Sequence, residues 1–270
     1  MIPRFLVLSG DGLNCEYETS RAVKKVGANV EIINITDFCE KSKNVDFLFD
    51  HQGIIVPGGF SFGDHLGSGR ILAEKLKGEV LNNIMRFCER GGFLLGICNG
   101  FQVLCQLGLF DTQVRYKNKL YNVSPRLVEN SPAGFVDRWV NLNVSHKSSS
   151  KSHVLKSLET GAILVRHAEG RLVFAGSLID AFGNNVDQMN NFILDEYDNK
   201  GMIGLTYESS FNGSVGRIAG LCHSQLRIFG LMPHPESSFE NLTQQNVVSK
   251  NIKNLNFSHL FWDNLVKLYM

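Results

Sequence analysis

The stretch Phe93-Leu94-Leu95-Gly96-Ile97-Cys98-Asn99-Gly100-Phe101-Gln102-Val103-Leu104 constrains this chain more than any other. An apolar run rich in Leu and Ile has the character of a buried strand. The apolar spacing of Phe101, Val103, Leu104 and Leu107 is that of a helix. Between them the backbone must turn sharply at Cys98. Gly96 and Gly100 flank the cysteine, which leaves room for a tight turn and for the helix to pack close behind the strand. A strand, a turn and a helix with a nucleophile at the corner have the logic of a nucleophile elbow, with Cys in place of Ser. The thiol then stands at a strand end beside a helix N-terminus, whose partial positive charge favours a thiolate. A cysteine at a strand end is also an ordinary packing residue, so the elbow alone does not decide the matter.

A second site weighs on the choice. The strand-like run Arg227 to Met232 leads into Pro233-His234-Pro235-Glu236. The prolines stiffen the loop by fixing φ. In extended chain, residues two apart project to the same side. Glu236 can then hold the far nitrogen of His234 and set its tautomer, leaving the near nitrogen for the thiol. Nucleophile, base and orienter make a triad.

At these two sites, Gly96-Ile-Cys-Asn-Gly-Phe-Gln102 and Met232-Pro-His-Pro-Glu236, the chain resembles the class I (triad) glutamine amidotransferases. The Asn99-Gly100-Phe101-Gln102 version is similar to that of the glutaminase-subunit family of phosphoribosylformylglycinamidine synthases. Further matches come in the family's order from about Pro3 to Glu236. They are Asp11-Gly12-Leu13-Asn14-Cys15 with Glu18-Thr19, Pro57-Gly58-Gly59-Phe60-Ser61-Phe62-Gly63-Asp64, Arg138-Trp139-Val140-Asn141-Leu142, His167-Ala168-Glu169-Gly170-Arg171, and Asn212-Gly213-Ser214 with Ile218-Ala219-Gly220. The resemblance implies Cys98, His234 and Glu236 as the catalytic residues. It implies an oxyanion hole from the N–H groups of Gly59 and Asn99, and glutamine contacts at Gly58 and Gln102. Phe60, Asp64, His167 and Glu169 are expected around the substrate or toward a partner. No metal is expected.

Read without the family, Gly58-Gly59 is either a plain turn or a loop offering bare N–H groups to an oxyanion. His167, beside Glu169 and Gly170, is a rival base; the family places this motif near the site without giving it that role. One departure stands out. The family has an Arg shortly after the Asp equivalent to Asp64, whereas this chain runs His65-Leu66-Gly67-Ser68-Gly69-Arg70. Gly67 takes the place of that charge, and Arg70 is the nearest substitute.

Composition excludes several classes. Lys+Arg number 27 against 26 Asp+Glu, so no basic stripe points to nucleic acid. No apolar run approaches the length of a membrane span, and the N-terminus turns polar too soon for a signal peptide. The expectation is a cytoplasmic protein. The six cysteines, Cys15, Cys39, Cys88, Cys98, Cys105 and Cys222, contain no Cys-x-x-Cys pair and no zinc spacing. They are expected as free thiols.

The 270 residues suit one large α/β domain over 1–270, with a C-terminal helical tail at about 240–270. Arg4–Leu8, Val30–Ile35 and His51–Val56 are predicted strands, with a helix over Glu16–Val26 ending near Gly27. This order argues for a parallel sheet with helices on both faces. Gly78–Cys88 is predicted helical. Tyr116–Val136 shows no clear period, and Arg138–Val144 alternates as a strand. His146–Ser152 and Asp187–Lys200 are predicted loops; Tyr197 lies in the second. Ile163–Val165 and Leu172–Ala175 flank the His167 motif. Met202–Tyr207, Ile218–Cys222 and Arg227–Met232 are predicted strands with tight turns, hence antiparallel. The fold expected is a mixed, mostly parallel central sheet flanked by helices. Gln244–Leu255 is polar, and Ser258–Leu268 is predicted helical with Ser258 as its N-cap.

The resemblance implies a glutaminase that makes glutamate and ammonia through a cysteine thioester. The resemblance implies an ATP-dependent synthetase partner, the large subunit of phosphoribosylformylglycinamidine synthase, which takes the ammonia, with a small bridging subunit in some organisms. No Walker-type loop is visible, so ATP and magnesium are expected on the partner and no cofactor on this chain. The alternatives are another class I amidotransferase subunit, a Cys-dependent peptidase on a similar fold, and a non-catalytic relative. The peptidase has no need of Asn99-Gly100-Phe101-Gln102, and non-catalytic relatives lose triad residues that are all present here.

Overall fold

In the computed structural model of the protein, residues 2–149, 153–239 and 257–270 are described. The strands in chain order are β1 (Arg4–Ser9), β2 (Asn29–Asn34), β3 (Gly53–Val56), β4 (Phe93–Ile97), β5 (Thr112–Tyr116), β6 (Lys119–Val128), β7 (Val136–Val144), β8 (Gly161–His167), β9 (Arg171–Ala175), β10 (Ile203–Tyr207), β11 (Ile218–Cys222) and β12 (Ile228–Leu231). The helices are α1 (Glu16–Lys25), α2 (Ile35–Lys41), α3 (Val45–Phe49), α4 (Arg70–Leu76), α5 (Glu79–Glu89), α6 (Asn99–Gln106), α7 (His146–Ser149), α8 (Val186–Asn199) and α9 (Phe257–Lys267).

Nine strands form the main sheet in the order β2-β1-β3-β4-β12-β11-β10-β7-β8. From β2 to β12 every pair is parallel; from β12 to β8 every pair is antiparallel. The parallel half explains the apolar runs in the sequence. Every residue of β3, β4 and β12 is buried, as strands covered on both faces must be. β12 lies beside β4 with Leu231 opposite Ile97. That register carries the chain ends after both strands, and so Cys98 and His234, to the same edge of the sheet. α6 packs against β3, β4 and β12.

Four expectations require correction, the last of them in the C-terminal helix. Asp187–Lys200 is not a loop but lies within and just beyond α8, capped by the Asn185 side chain, which accepts from Gln188 N at 3.0 Å. Its buried stripe is only Met189, Ile193 and Tyr197, one residue per turn, which the surrounding polar residues obscure in the sequence. Tyr197 donates its hydroxyl to the Phe110 carbonyl at 2.9 Å. The aperiodic stretch from Tyr116 holds a hairpin: β5 and β6 pair around Lys117-Asn118, both at positive φ, and β9 completes a separate three-stranded sheet. Pro125 hides β6 in the sequence. It is tolerated because it lies beyond the end of β5 and pairs only with β9. His146–Ser149 forms the short helix α7, where a loop was expected; residues 150–152 lie outside the described residues.

The C-terminal helix is present, with Phe257, Phe261, Trp262, Leu265 and Val266 buried. Ser258 sits inside the helix and is buried, so it is not the expected cap. The polar run Gln244–Leu255 lies outside the described residues. Among the described residues, no helix is long and apolar enough to cross a membrane.

Candidate active site

The elbow is built at a backbone cost. Cys98 has φ 50° and ψ −105°, a conformation worth about 1–3 kcal/mol of strain in a non-glycine residue. The turn is pinned from both sides: Cys98 N–H donates to Leu231 O at 2.8 Å, and Gln102 N–H donates to Cys98 O at 3.1 Å. Gly100 is required by close approach. A Cβ there would lie 1.9 Å from the Val56 carbonyl oxygen. Asn99 opens α6, so its N–H has no acceptor within the helix and is available to an oxyanion.

His234 and Glu236 follow β12. His234 Nδ1 and Glu236 Oε1 are 2.6 Å apart, and both side chains are buried. Glu236 thereby fixes the ring, leaving Nε2 as the second nitrogen. Nε2 is buried and has no hydrogen-bond partner among the described residues. Burial pulls His234 toward the neutral form. The Glu236 carboxylate beside it, with the Cys98 and Cys15 sulfurs, outweighs this and holds its pKa well above the ordinary value. The ring is seated by β8: His234 N–H donates to Leu164 O at 2.8 Å. Ser238 braces the same contact, accepting from Leu164 N at 3.1 Å and donating to His234 O at 3.1 Å.

Gly58 is where the parts converge. A Cβ on Gly58 would lie 2.8 Å from His234 Cε1, 3.3 Å from Cys15 Sγ and 3.4 Å from Cys98 Cβ. Gly59 has φ 142°, and a Cβ there would strike Asn14 and the Gly12 carbonyl at 2.4 Å. The loop is tied to the elbow by Ser61 N–H, which donates to Asn99 Oδ1 at 3.3 Å. The Cys98 thiol is covered by β8 and donates to the Arg166 carbonyl at 3.6 Å. Cys98 is 5% exposed and His234 4%.

The other expected residues fall into two groups. Asp64, Asn99, Gln102 and Glu169 form one network. Asn99 Nδ2 donates to Asp64 Oδ1 at 3.1 Å and to Gln102 Oε1 at 2.9 Å. Gln102 Nε2 donates to the Glu169 carbonyl at 2.6 Å, and the Glu169 carboxylate accepts from Ser68 N at 3.2 Å. Burial raises the Asp64 pKa against the hydrogen bonds that Ser68, Gly69 and Asn99 supply. The Gln102 amide is thus engaged on both sides, and one N–H remains for a ligand. The second group includes Phe60, whose exposed ring sits 6.4 Å from that of Phe135, also exposed. Phe62 instead packs under Lys75. Gly67 sits at φ 100°, where an arginine would be strained, and Arg70 is the exposed first residue of α4.

His167 is buried and is held by Asn130. The Asn130 amide donates to the carbonyls of Gly134 and His167, each at 2.9 Å, so its Oδ1 faces the Gly170 N–H and His167 Nδ1, each at 3.1 Å. Nδ1 therefore carries the proton. Burial, with the nearby charge of His234, lowers the His167 pKa to about 4. A group that charges only on unfolding weakens the fold as pH falls. The unfolded chain binds the proton near pH 6.5 and the folded chain only near 4. His167 is therefore expected to remove up to roughly 3 kcal/mol of stability between those values. Denaturant unfolding across this range, compared with His167→Gln, should show a flatter pH slope in the variant; equal slopes would refute this.

Sequence reasoning passed over two residues here. Asn130 carries no motif. Cys15 belongs to a matched motif, yet nothing in the sequence joins it to His234.

Comparison with known proteins identifies the family. Residues 2–268 match the CobB/CobQ-like glutamine amidotransferase domain. The phosphoribosylformylglycinamidine synthase subunit PurQ of Methanococcus maripaludis is 33% identical over 246 residues, covering 90% of this chain and 85% of that one. The Archaeoglobus fulgidus subunit of the same name is 34% identical over 241 residues, covering 86% of each. A chain in the structure of PurLQS from Thermotoga maritima superposes with a TM-score of 0.70 at 27% identity, covering 99% of this chain and 100% of that one. The chain belongs to the CobB/CobQ-like glutamine amidotransferases and, within them, to the PurQ subunits of phosphoribosylformylglycinamidine synthase.

Proposed function

We infer that this chain is the glutaminase subunit of phosphoribosylformylglycinamidine synthase. It hydrolyses glutamine and hands ammonia to a synthetase subunit in purine biosynthesis. The observation that carries the chemistry is His234, held at Nδ1 by Glu236 with Nε2 left free beside the strained Cys98 elbow.

His234 Nε2 takes the thiol proton, and the thiolate attacks the side-chain amide carbon of glutamine. The oxyanion lies on the N–H groups of Gly59 and Asn99. His234 returns the proton to the departing nitrogen, so ammonia leaves and a γ-glutamyl thioester stays on Cys98. Water, activated by the same histidine, releases glutamate. The half-reaction needs only these side chains, the two backbone N–H groups and water; ATP and magnesium belong to the synthetase. The PurLQS relationship supports an assembly with the synthetase and a small third subunit.

The near-complete cover over Cys98 and His234 supports a further expectation. The isolated chain should release glutamate slowly, and adding the synthetase, its nucleotide and the formylglycinamide ribonucleotide acceptor should raise the rate at least about tenfold, as closure and opening steps gate many enzymes. Glutamate assay with and without the partner tests this. No release in the complete mixture would overturn the assignment. Mass spectrometry after an alkylating glutamine analogue separates the rivals: a glutaminase is labelled at Cys98, a peptidase poorly, and a non-catalytic relative not at all.

A further inference from the structure

Two buried polar atoms near the triad have no role in the chemistry above and no hydrogen-bond partner among the described residues: the Tyr207 hydroxyl and His167 Nε2. Tyr207 is 1% exposed and His167 2%. Polar atoms shut away from water are normally bonded, and an exception asks for an explanation. The two side chains come from different strands. Tyr207 ends β10 and His167 ends β8, and both rings pack on Phe211, with centroids 4.7 and 6.1 Å from it.

The His167 ring is fixed. A Cβ on Gly170 would lie 2.2 Å from His167 Nδ1, so the ring rests close against the glycine backbone, and Asn130 Oδ1 holds Nδ1 at 3.1 Å. With the proton on Nδ1, Nε2 is a bare acceptor. His167 follows Arg166, whose carbonyl receives the Cys98 thiol at 3.6 Å, and the ring feels the charge of His234. Tyr207 supplies the complement. Burial, with the nearby Cys98 sulfur, raises its pKa, so the hydroxyl keeps its proton and can donate. One donor near the nucleophile and one acceptor near the base suit a small neutral molecule that carries both kinds of group. Glutamine hydrolysis calls for such a molecule once ammonia has left the thioester and water must take its place.

We propose that Tyr207 and His167 hold the water that hydrolyses the γ-glutamyl thioester, the hydroxyl donating to its oxygen and His167 Nε2 accepting from one of its O–H groups. His234 Nε2 removes the other proton as the oxygen bonds to the acyl carbon. The carbon–sulfur bond then breaks, its electron pair stays on Cys98, and the proton on His234 returns to that sulfur. His167 binds the water without titrating, a role suited to a ring that burial keeps neutral. This assignment deepens the glutaminase reading and rests on it.

The test compares the natural chain with Tyr207→Phe and His167→Asn, each assembled with the synthetase, its nucleotide and the acceptor. Tyr207→Phe deletes only the hydroxyl and keeps the ring on Phe211. His167→Asn keeps an amide N–H for Asn130 and deletes the Nε2 acceptor. Each should slow the water step alone. For glutamate release, kcat is expected to fall at least about tenfold with KM falling in the same proportion, so that kcat/KM is unchanged. Mass spectrometry of the acid-quenched mixture should show a γ-glutamyl adduct accumulating on Cys98. Isolated Tyr207→Phe should melt no lower than the natural chain, since a hydroxyl without a partner contributes no bond. If His167→Asn fails to fold, Tyr207→Phe alone decides. A fall in kcat/KM without an adduct places the hydroxyl before the thioester and overturns the proposal. An unchanged kcat in Tyr207→Phe overturns it too, whatever the melting temperature. If the natural complex itself forms no thioester and releases no glutamate, the glutaminase reading fails and this proposal falls with it.

Discussion

Replacing Cys98 with alanine should leave the assembled synthase able to make its amidine product from ammonia and unable to make it from glutamine. The substitution deletes one sulfur from a residue that is 5% exposed, and an alanine can hold the same φ of 50°. The backbone bonds that pin the elbow, from Cys98 N to Leu231 and from Gln102 N to Cys98 O, do not involve the side chain. Folding and docking should therefore persist. The covalent step has no substitute, since no other thiol belongs to the elbow. Removing a nucleophile from a triad costs roughly 10⁴–10⁶ in kcat, and the loss is shared by the whole constellation. The measurement is parallel: amidine formation with glutamine and with ammonium salts. Retained glutamine-dependent synthesis would show that Cys98 is not the nucleophile. Loss of both activities would show a failure of assembly.

The parts of this site that were legible in the sequence are those where chemistry and backbone geometry leave few choices. Gly100 is legible because only glycine lets α6 approach the Val56 carbonyl. The prolines around His234, and Glu236 two residues on, announce a stiffened loop in which a carboxylate can hold an imidazole, and the structure has that contact at 2.6 Å. The apolar runs of β3 and β4 are legible because a strand covered on both faces has no polar side to show.

What was hidden depends on tertiary partners. α8 buries one residue per turn, a stripe too thin to stand out until another sheet covers it. β6 contains a proline that is tolerable only because β5 ends before it. The His167 motif resembles a second base, yet its ring is held neutral by burial and by Asn130, a residue with no local signature. Cys15 joins the site only because the loop after β1 folds against the loop after β3, with Cys15 N–H donating to Gly58 O at 3.2 Å.

That same contact makes Gly58→Ala the most informative backbone-neutral substitution in the protein. Gly58 needs no unusual φ, so the alanine carries no intrinsic strain. Its new methyl would lie 2.8 Å from His234 Cε1, inside contact distance, and 3.3 Å from Cys15 Sγ. The ring cannot yield easily: Glu236 holds Nδ1, β8 holds the backbone N–H, and Ser238 holds the carbonyl. Either the imidazole or the Gly58 loop must move; the first move separates the expected base from the thiol, and the second separates the Gly59 N–H from it. A displacement of about 1 Å is enough to lower the rate about 100-fold. The expected result is a fall of about 10²–10³ in glutamine-dependent kcat with KM little changed. Stability should fall by about 1–3 kcal/mol, the usual cost of overpacking. Gly183→Ala is the control, because its Cβ meets nothing within 4 Å and only its φ of 59° is unfavourable. It should lose stability and keep its rate. If Gly58→Ala also keeps its rate, His234 has slack that the geometry denies, and the positioning of the base by this loop must be abandoned even with Cys98 intact.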